Sequence, residues 1–364
     1  MADAAVPPWL GEPLAKLLAA ESQLPQALLV HGPAGVGKGL FAVALAKALL
    51  CEARPPGGAA PCGECPACGW FDQGAHPDFR RVEPEADTRA AEEADEAGAD
   101  ADSPESRGPA PARPAAGSRA GRSIRIQQIQ RLAEFFAVGG HRSSRRIVVI
   151  EPADAMNGPA ANALLKTLEE PPLGAMLVLV TAHPSRLLAT LRSRCRALAV
   201  ARPAHAQALD WLATTQAVDA ADAETLLAAT GGAPLAAVRL AGEARAAAHR
   251  SLLDAVQRLP ETGVAETADA VSGGDPVELV GLLQRWLLDI ARVATGASPL
   301  YHPARQARLS QLAERSSAWG RAQADRRLAR QRALAEHPLN PRLFIEETLD
   351  GYARAFAPTE KDRR

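Results

Sequence analysis

Gly32-Pro33-Ala34-Gly35-Val36-Gly37-Lys38-Gly39 follows the apolar run Ala27-Leu28-Leu29-Val30 and leads into a helical pattern through Phe41, Leu45, Leu49 and Leu50. A strand, a glycine loop and a helix in that order make a phosphate-binding loop, in which backbone N–H groups and a lysine surround a nucleotide's phosphates. Gly32, Gly35, Gly37 and Lys38 are the candidate phosphate-holding residues. The position after the lysine carries Ser or Thr in the full motif, because its hydroxyl binds Mg²⁺. Here it is Gly39. The stretch predicts an α/β nucleotide-site framework with a defect where the metal belongs.

The second half of such a site points the same way. Arg145-Arg146-Ile147-Val148-Val149-Ile150-Glu151-Pro152 reads as a buried parallel strand, an apolar run bounded by charge. In P-loop ATPases an acid ending this strand helps to hold Mg²⁺, and in many families the next acid polarises the attacking water. Glu151 can serve the metal, but Pro152 can neither accept a proton nor orient water. Thr181, which ends the run Met176–Thr181, joins Glu151 and Gly39 in the degenerate nucleotide-site set. One defect in each half points to a module kept for its shape. Hydrolysis is not expected, and ATP binding is left open.

The chain has 364 residues, enough for two or three domains. Its net charge of −1 creates no global basic field, so any DNA contact must come from a local patch or from partners. No apolar stretch reaches membrane-spanning length, and Met1–Pro8 lacks a basic-then-apolar leader pattern. The expectation is a cytoplasmic protein with no membrane partner. Aromatic residues make up only 4%, which suits helices packed with small residues rather than a β-sandwich.

Residues 9 to about 203 alternate strand-like runs with helical patterns, as a parallel α/β sheet does. The strand candidates are Ala27–Val30, Ile147–Ile150, Met176–Thr181 and a short one at Leu198–Val200. Residues 84–122 change abruptly to Ala, Glu, Asp, Pro, Gly, Ser and Arg, too little apolar surface to offset the entropy of ordering. They read as a disordered insertion in a surface loop. From Pro203 onward only helical patterns follow: Ala206–Thr215, Ala221–Thr230 and Pro234–Ala241 first, with Gly231-Gly232 as a break. Longer amphipathic helices come next, opened by Asp275-Pro276 and Asn340-Pro341 as cap and first-turn pairs. Arginines between Arg305 and Arg332 alternate with Ala, Leu, Gln and acids, the pattern of a solvated helical face, with a DNA-facing patch as the alternative.

Cys51, Cys62, Cys65 and Cys68 form the densest cluster, within it Cys62-Gly63-Glu64-Cys65-Pro66-Ala67-Cys68. Overlapping Cys-x-x-Cys spacings with a fourth thiol upstream suit a tetrahedral structural Zn²⁺. Redox chemistry or unligated thiols are the alternatives. His76 is a substitute ligand at best, and a loop histidine before Pro77 is the plainer reading.

Two further stretches carry a resemblance. Asn162-Ala163-Leu164-Leu165-Lys166-Thr167-Leu168-Glu169-Glu170-Pro171-Pro172 and Ser193-Arg194-Cys195 resemble signature segments of bacterial clamp-loader subunits, AAA+-type proteins of the DNA polymerase III holoenzyme. The likeness runs from Trp9 to about Cys195. Gly39, Glu151-Pro152 and Gly232-Ala233-Pro234-Leu235 lack three features that the gamma/tau motor subunit of that family carries, so the delta-prime group is favoured over an active motor ATPase. The resemblance implies an α/β P-loop domain over 1–203 with a zinc knuckle at 51–68, a helical lid over 204–245 and an all-α collar over 246–364. It implies a place in a hetero-pentamer with motor and delta subunits, acting on the sliding clamp and, through the complex, on primed DNA. The assembly belongs to a nucleotidyltransferase holoenzyme, while this chain is expected to have no polymerase or ATPase activity of its own. It also implies that Arg194 is an arginine finger acting on ATP held by a neighbour. Cys195 beside it reads as a packed thiol, with no histidine nearby in sequence to activate it.

Overall fold

The computed structural model describes residues 6–55, 58, 60–85, 123–137, 143, 145–215, 218–335 and 340–356. The expected insertion therefore falls, from residue 86 to 122, outside the described residues. The chain divides into two compact units, Met1–Arg202 and Pro203–Arg364.

The first unit is built on a parallel sheet of five strands: β1 (Ala27–His31), β2 (Phe79–Val82), β3 (Arg146–Ile150), β4 (Ala175–Thr181) and β5 (Arg196–Ala199). Their order across the sheet is β2-β3-β4-β1-β5. Every residue of β3 and β4 is buried, as a strand covered by helices on both faces requires. β1, β3 and β4 begin and end within one residue of the sequence expectation. β5 starts two residues before its expected position, because pairing begins at Leu28↔Arg196. It is a largely exposed edge strand, so no apolar run marks its start.

β2 has no counterpart in the sequence reading. Phe79-Arg80-Arg81-Val82 breaks the apolar run with two cations, a composition that suits an edge strand. Arg80 lays its guanidinium 4.8 Å from the centroid of the Phe135 ring. Arg81 reaches the candidate nucleotide site.

Helices cover the sheet. α1 (Pro8–Ala19) buries Leu10, Leu14 and Leu18. α2 (Lys38–Leu50) runs from the glycine loop and buries Phe41, Leu45 and Leu49. α3 (Pro66–Asp72) and α4 (Ile126–Ala137) follow, then α5 (Gly158–Glu169) and α6 (Ala189–Arg194). Asn157 caps α5, its side chain accepting from the N–H of Ala160 at 2.9 Å. Ile129, Leu132 and Phe136 of α4 and Leu164 and Leu168 of α5 pack with Val148, Ile150 and Leu177 of the sheet.

The second unit holds no strand among its described residues. α7 (His205–Thr214), α8 (Ala220–Ala229) and α9 (Pro234–Ala241) enclose a small core of Leu212, Val218, Leu227 and Ala237. α10 (Glu243–Thr262), α11 (Val264–Val271), α12 (Pro276–Ala294), α13 (Gln306–Glu314), α14 (Ala318–Leu334) and α15 (Pro341–Ala353) share a larger one. Trp286 and Tyr352 are fully buried in it. Asp275 and Asn340 cap α12 and α15 through their side chains, so both helix openings read from the sequence are present. α10 begins at Glu243, ahead of the expected lid boundary at 245. Three arginines of the Arg-rich stretch lie in ion pairs, Arg305 with Asp254 and both Arg308 and Arg315 with Glu261.

Candidate functional site

The loop connecting β1 to α2 is wound by its glycines. Gly35 (φ 77°) and Gly37 (φ 96°) take left-handed conformations, which cost residues with a Cβ. Gly32 lies so close to the end of β5 that a Cβ there would stand 3.1 Å from the carbonyl carbon of Val200, nearer still to its oxygen. Trp9 of α1 braces the loop from outside, its indole N–H donating to the carbonyl of Val36 at 2.8 Å. Lys38 is buried at the N-terminus of α2, and its ammonium donates to the carbonyl of Pro33 at 2.6 Å. Burial lowers the Lys38 pKa, and the nearby carboxylates of Glu151 and Asp154 oppose that shift.

Beside Gly39 lies the carboxylate of Glu151. A Cβ on Gly39 would lie 2.6 Å from the carboxyl carbon of Glu151 and closer to both its oxygens. A Ser or Thr hydroxyl cannot enter there unless Glu151 moves. Glu151, expected as the acid available to a metal, has a cationic partner in this structure. Arg81 of β2 donates to Glu151 Oε2 at 2.9 Å and also pairs with Glu83 at 2.7 Å. Arg81 Nε is buried without a hydrogen-bond partner among the described residues. Thr181 gives its hydroxyl proton to Asp154 and accepts from the N–H of His183 at 2.9 Å. Arg81 and Asp154 were both missed from sequence. Arg81 is 70 positions from its partner, and only the β2–β3 register, with Val82 opposite Ile150, brings the two together.

The four cysteines converge beyond the far end of α2. Their sulfurs all lie within 4.8 Å of one another, with Cys51–Cys62 at 3.5 Å, Cys51–Cys65 at 3.9 Å and Cys62–Cys68 at 4.0 Å. Metal–sulfur bonds of about 2.3 Å in a tetrahedron put sulfurs about 3.8 Å apart, whereas a disulfide needs about 2.05 Å. The set therefore fits one tetrahedral metal, and none of the four is disulfide-bonded. The N–H groups of Cys62 and Cys65 approach the sulfurs of Cys51 and Cys62, both at 3.3 Å. Burial pushes the Cys65 thiol up, but N–H groups of Cys68 and Glu52 with the Cys62 and Cys68 thiols outweigh it and hold it at about 6. His76 is not part of the cluster. It is buried, its Nδ1 accepts from the N–H of Asp78 at 3.1 Å, and its ring meets Trp70 and Phe71 edge-on.

Arg194 lies at the opposite edge of the sheet from the loop. It ends α6, two residues before β5, beside a recess of about 370 Å³ lined by Pro25, Gln26 and Ala27 at the start of β1. The loop starts at the other end of β1, roughly 20 Å away at about 3.3 Å per residue. Arg194 Nη2 pairs with Glu169 Oε1 at 2.7 Å, and Nη1 donates to the carbonyl of Thr190 at 3.1 Å. Its side chain is 37% exposed. Cys195 is pushed up to about 11 by burial, which suits a packed thiol and not a nucleophile.

Comparison with known proteins bears on all of these features. The family described as DNA polymerase III, delta subunit, matches residues 13–204, which contain the loop, the cysteines and Arg194. The delta-prime subunit of Pseudomonas aeruginosa is 36% identical over 266 residues, 73% of this chain and 70% of that protein. The delta-prime subunit of Escherichia coli K12 is 34% identical over 238 residues, 64% and 60% of the two chains. The tau subunit of Escherichia coli K12 is 29% identical over 169 residues, only 46% of this chain and 20% of tau. A glycine loop that keeps its shape, a metal position closed by Glu151 and Arg81, and this pattern of likeness agree: the chain belongs to the DNA polymerase III delta-prime family.

Proposed function

We propose that the chain is a non-catalytic delta-prime subunit of a clamp-loader hetero-pentamer, in which it supplies Arg194 to ATP held by a neighbouring gamma/tau motor. The carrying observation is the pairing of Glu151 with Arg81 beside Gly39. Those residues stand where an active site needs a metal, and Pro152 stands where it needs an acid. The motor-ATPase alternative would have to hydrolyse ATP through an acid already neutralised by a guanidinium.

Arg194 suits a role in trans for two reasons. It lies at the sheet edge remote from the chain's own loop, and it is held by a half-exposed ion pair that is worth little in water. A neighbour's γ-phosphate would exchange for the Glu169 carboxylate at the planar guanidinium fork, which would stabilise the negative charge of the phosphoryl group as it transfers. The helical residues 204–245 and 246–364 would act as lid and collar, and the assembly would open the sliding clamp and load it onto primed DNA. We assign Zn²⁺ to Cys51, Cys62, Cys65 and Cys68. With all four positions filled by protein, the ion would be structural.

The test is Mg²⁺-dependent ATP turnover by the isolated chain, together with native mass measurement after co-purification with motor and delta subunits. No turnover and one copy per pentamer are expected. Steady turnover abolished by Lys38→Ala would sink the non-catalytic reading.

A further inference from the structure

Helix α14 (Ala318–Leu334) carries five arginines and a single acid, Asp325, in a chain whose net charge is only −1. Its inner side is committed to the fold. Ala324 and Leu328 are at most 1% exposed in the larger core of the second unit. Arg321 donates to Ser316, Arg332 donates to Gln284, and the stem of Arg327 packs beside Gly351 of α15. Trp319, Gln323, Arg326 and Arg330 recur at intervals of four, three and four residues, so they share the face opposite Leu328.

That face is turned to water. Trp319 is 65% exposed, whereas the other four tryptophans are buried or half-buried. Arg326 and Arg330 are exposed, and neither has an acid or a hydrogen-bond partner among the described residues. The backbone beneath Trp319 is pinned. Ser317 caps the helix by accepting from the N–H of Gly320 at 3.0 Å. Gly320 packs so closely on the turn after α15 that a Cβ there would lie 2.6 Å from the carbonyl oxygen of Ala355. A group stacking on the indole therefore finds it already placed, which lowers the cost of ordering.

We propose that this face of α14 docks single-stranded DNA, Trp319 stacking on a base and Arg326 and Arg330 pairing with phosphates. Charge selects the occupant. A protein partner covering the indole would bury two guanidinium groups that no acid of this chain balances, which is costly. A nucleic-acid strand brings one anion per nucleotide and a π-face on every base. The strand must be unpaired, because an indole stacks only on a base whose face is open. Membership of a DNA polymerase III family makes it DNA. At about 1.5 Å per residue the stripe from Trp319 to Arg330 is about 16 Å long, room for about five nucleotides at about 3.4 Å each. Asp325 lies about 100° round the helix from Arg326, off that track. The assignment goes beyond the loader reading, in which primed DNA is met through the complex; within that reading the strand would be the unpaired template beyond the primer.

The experiment follows the fluorescence anisotropy of a labelled oligothymidylate titrated with the full-length chain at several salt concentrations. The wild-type chain should bind, with the logarithm of its affinity falling linearly with that of the salt. Trp319→Ala should weaken binding about tenfold at every salt, the loss of one stacked base, and leave the slope unchanged. Trp319→Phe should recover part of that loss. Arg326→Gln combined with Arg330→Gln should instead flatten the slope by about 1.4, two phosphate contacts at about 0.7 each. A misfolded variant would lose affinity and slope together, which keeps these two signatures distinct from it. No binding by the wild-type chain, or wild-type affinity and slope in both variants, overturns the proposal. So does a Trp319→Ala chain that keeps the oligonucleotide but no longer joins motor and delta subunits by native mass, because the face is then a subunit contact. Failure of the wild-type chain to bind would leave co-purification untouched, so this proposal and the subunit reading fail separately.

Discussion

Two edges of one sheet carry charged groups of interest, and they have been treated differently. At the C-terminal edge, Lys38, Glu151, Arg81, Thr181 and Asp154 bond to one another or to the loop itself. At the N-terminal edge, Arg194 is half-exposed and tied to a carboxylate that water also reaches. A chain that burned ATP would need the reverse arrangement: open, metal-ready acids beside its own loop, with any finger arriving from outside. The contrast teaches where the proposed function puts its weight: on the charged group left accessible at one edge, Arg194, and not on the groups already paired at the other.

The strongest way to break the comparison is to remove the outward-facing group. Arg194→Ala should leave the chain folded and able to join the complex, since it removes only a partly exposed ion pair and one exposed hydrogen bond to Thr190. Clamp- and DNA-stimulated ATPase of the assembled loader should nevertheless fall steeply, because losing a trans arginine finger costs about 10³-fold or more at the affected site. The loss over the whole complex will be smaller where other motor sites still fire. Steady-state ATPase of reconstituted loader checks this, and wild-type rates would show that the N-terminal edge is inert.

The next prediction sharpens the comparison by asking what connects the two edges. α2 starts at the loop and ends beside the cysteine cluster, from which the chain returns through α3 to β2 and so to Arg81. Cys65→Ser should remove the metal and destabilise the unit by about 4 kcal/mol, the range of a lost structural metal. At roughly 2–4 °C per kcal/mol that is a fall in Tm of about 10 °C. Metal analysis and thermal denaturation measure both. No metal in the wild-type protein, with four freely titrating thiols, would mean that the cluster holds no tetrahedral ion.

How much of this was legible beforehand depends on distance along the chain. The loop and the four cysteines are readable because each motif lies within a short stretch of chain. β3 and β4 announce themselves as unbroken apolar runs, which is what burial on both faces imposes. β2 does not, because two of its four residues are arginines that an edge strand tolerates. Arg81 therefore stayed hidden, and with it the ion pair that Glu151 makes. Nor could the sequence say that Arg194 and the loop lie at opposite edges. That is a fact of register, visible only once Leu28 is known to face Arg196.

A smaller effect tests how Arg194 is held. Glu169→Gln should change stability by less than about 1 kcal/mol, as expected for a solvent-screened pair. The loader's ATPase should remain near the wild-type rate, since Glu169 is the group a phosphate would displace. A loss as deep as that of Arg194→Ala would make the ion pair itself the functional unit, not the guanidinium it releases.

The smallest expected effect is the most pointed, because in a motor subunit it would be the largest. Lys38 is the residue an ATPase cannot spare, reaching the β- and γ-phosphates at the moment of transfer. In this chain it borders an acid paired with Arg81 and a glycine without a hydroxyl, and on the proposed reading no transfer depends on it. Lys38→Ala should alter clamp- and DNA-stimulated ATPase of the assembled loader by less than about twofold, under roughly 0.4 kcal/mol. The two substitutions must be compared in the same reconstituted complex. If Lys38→Ala cripples it while Arg194→Ala is silent, the working edge of this sheet is the loop edge, and the chain is a motor.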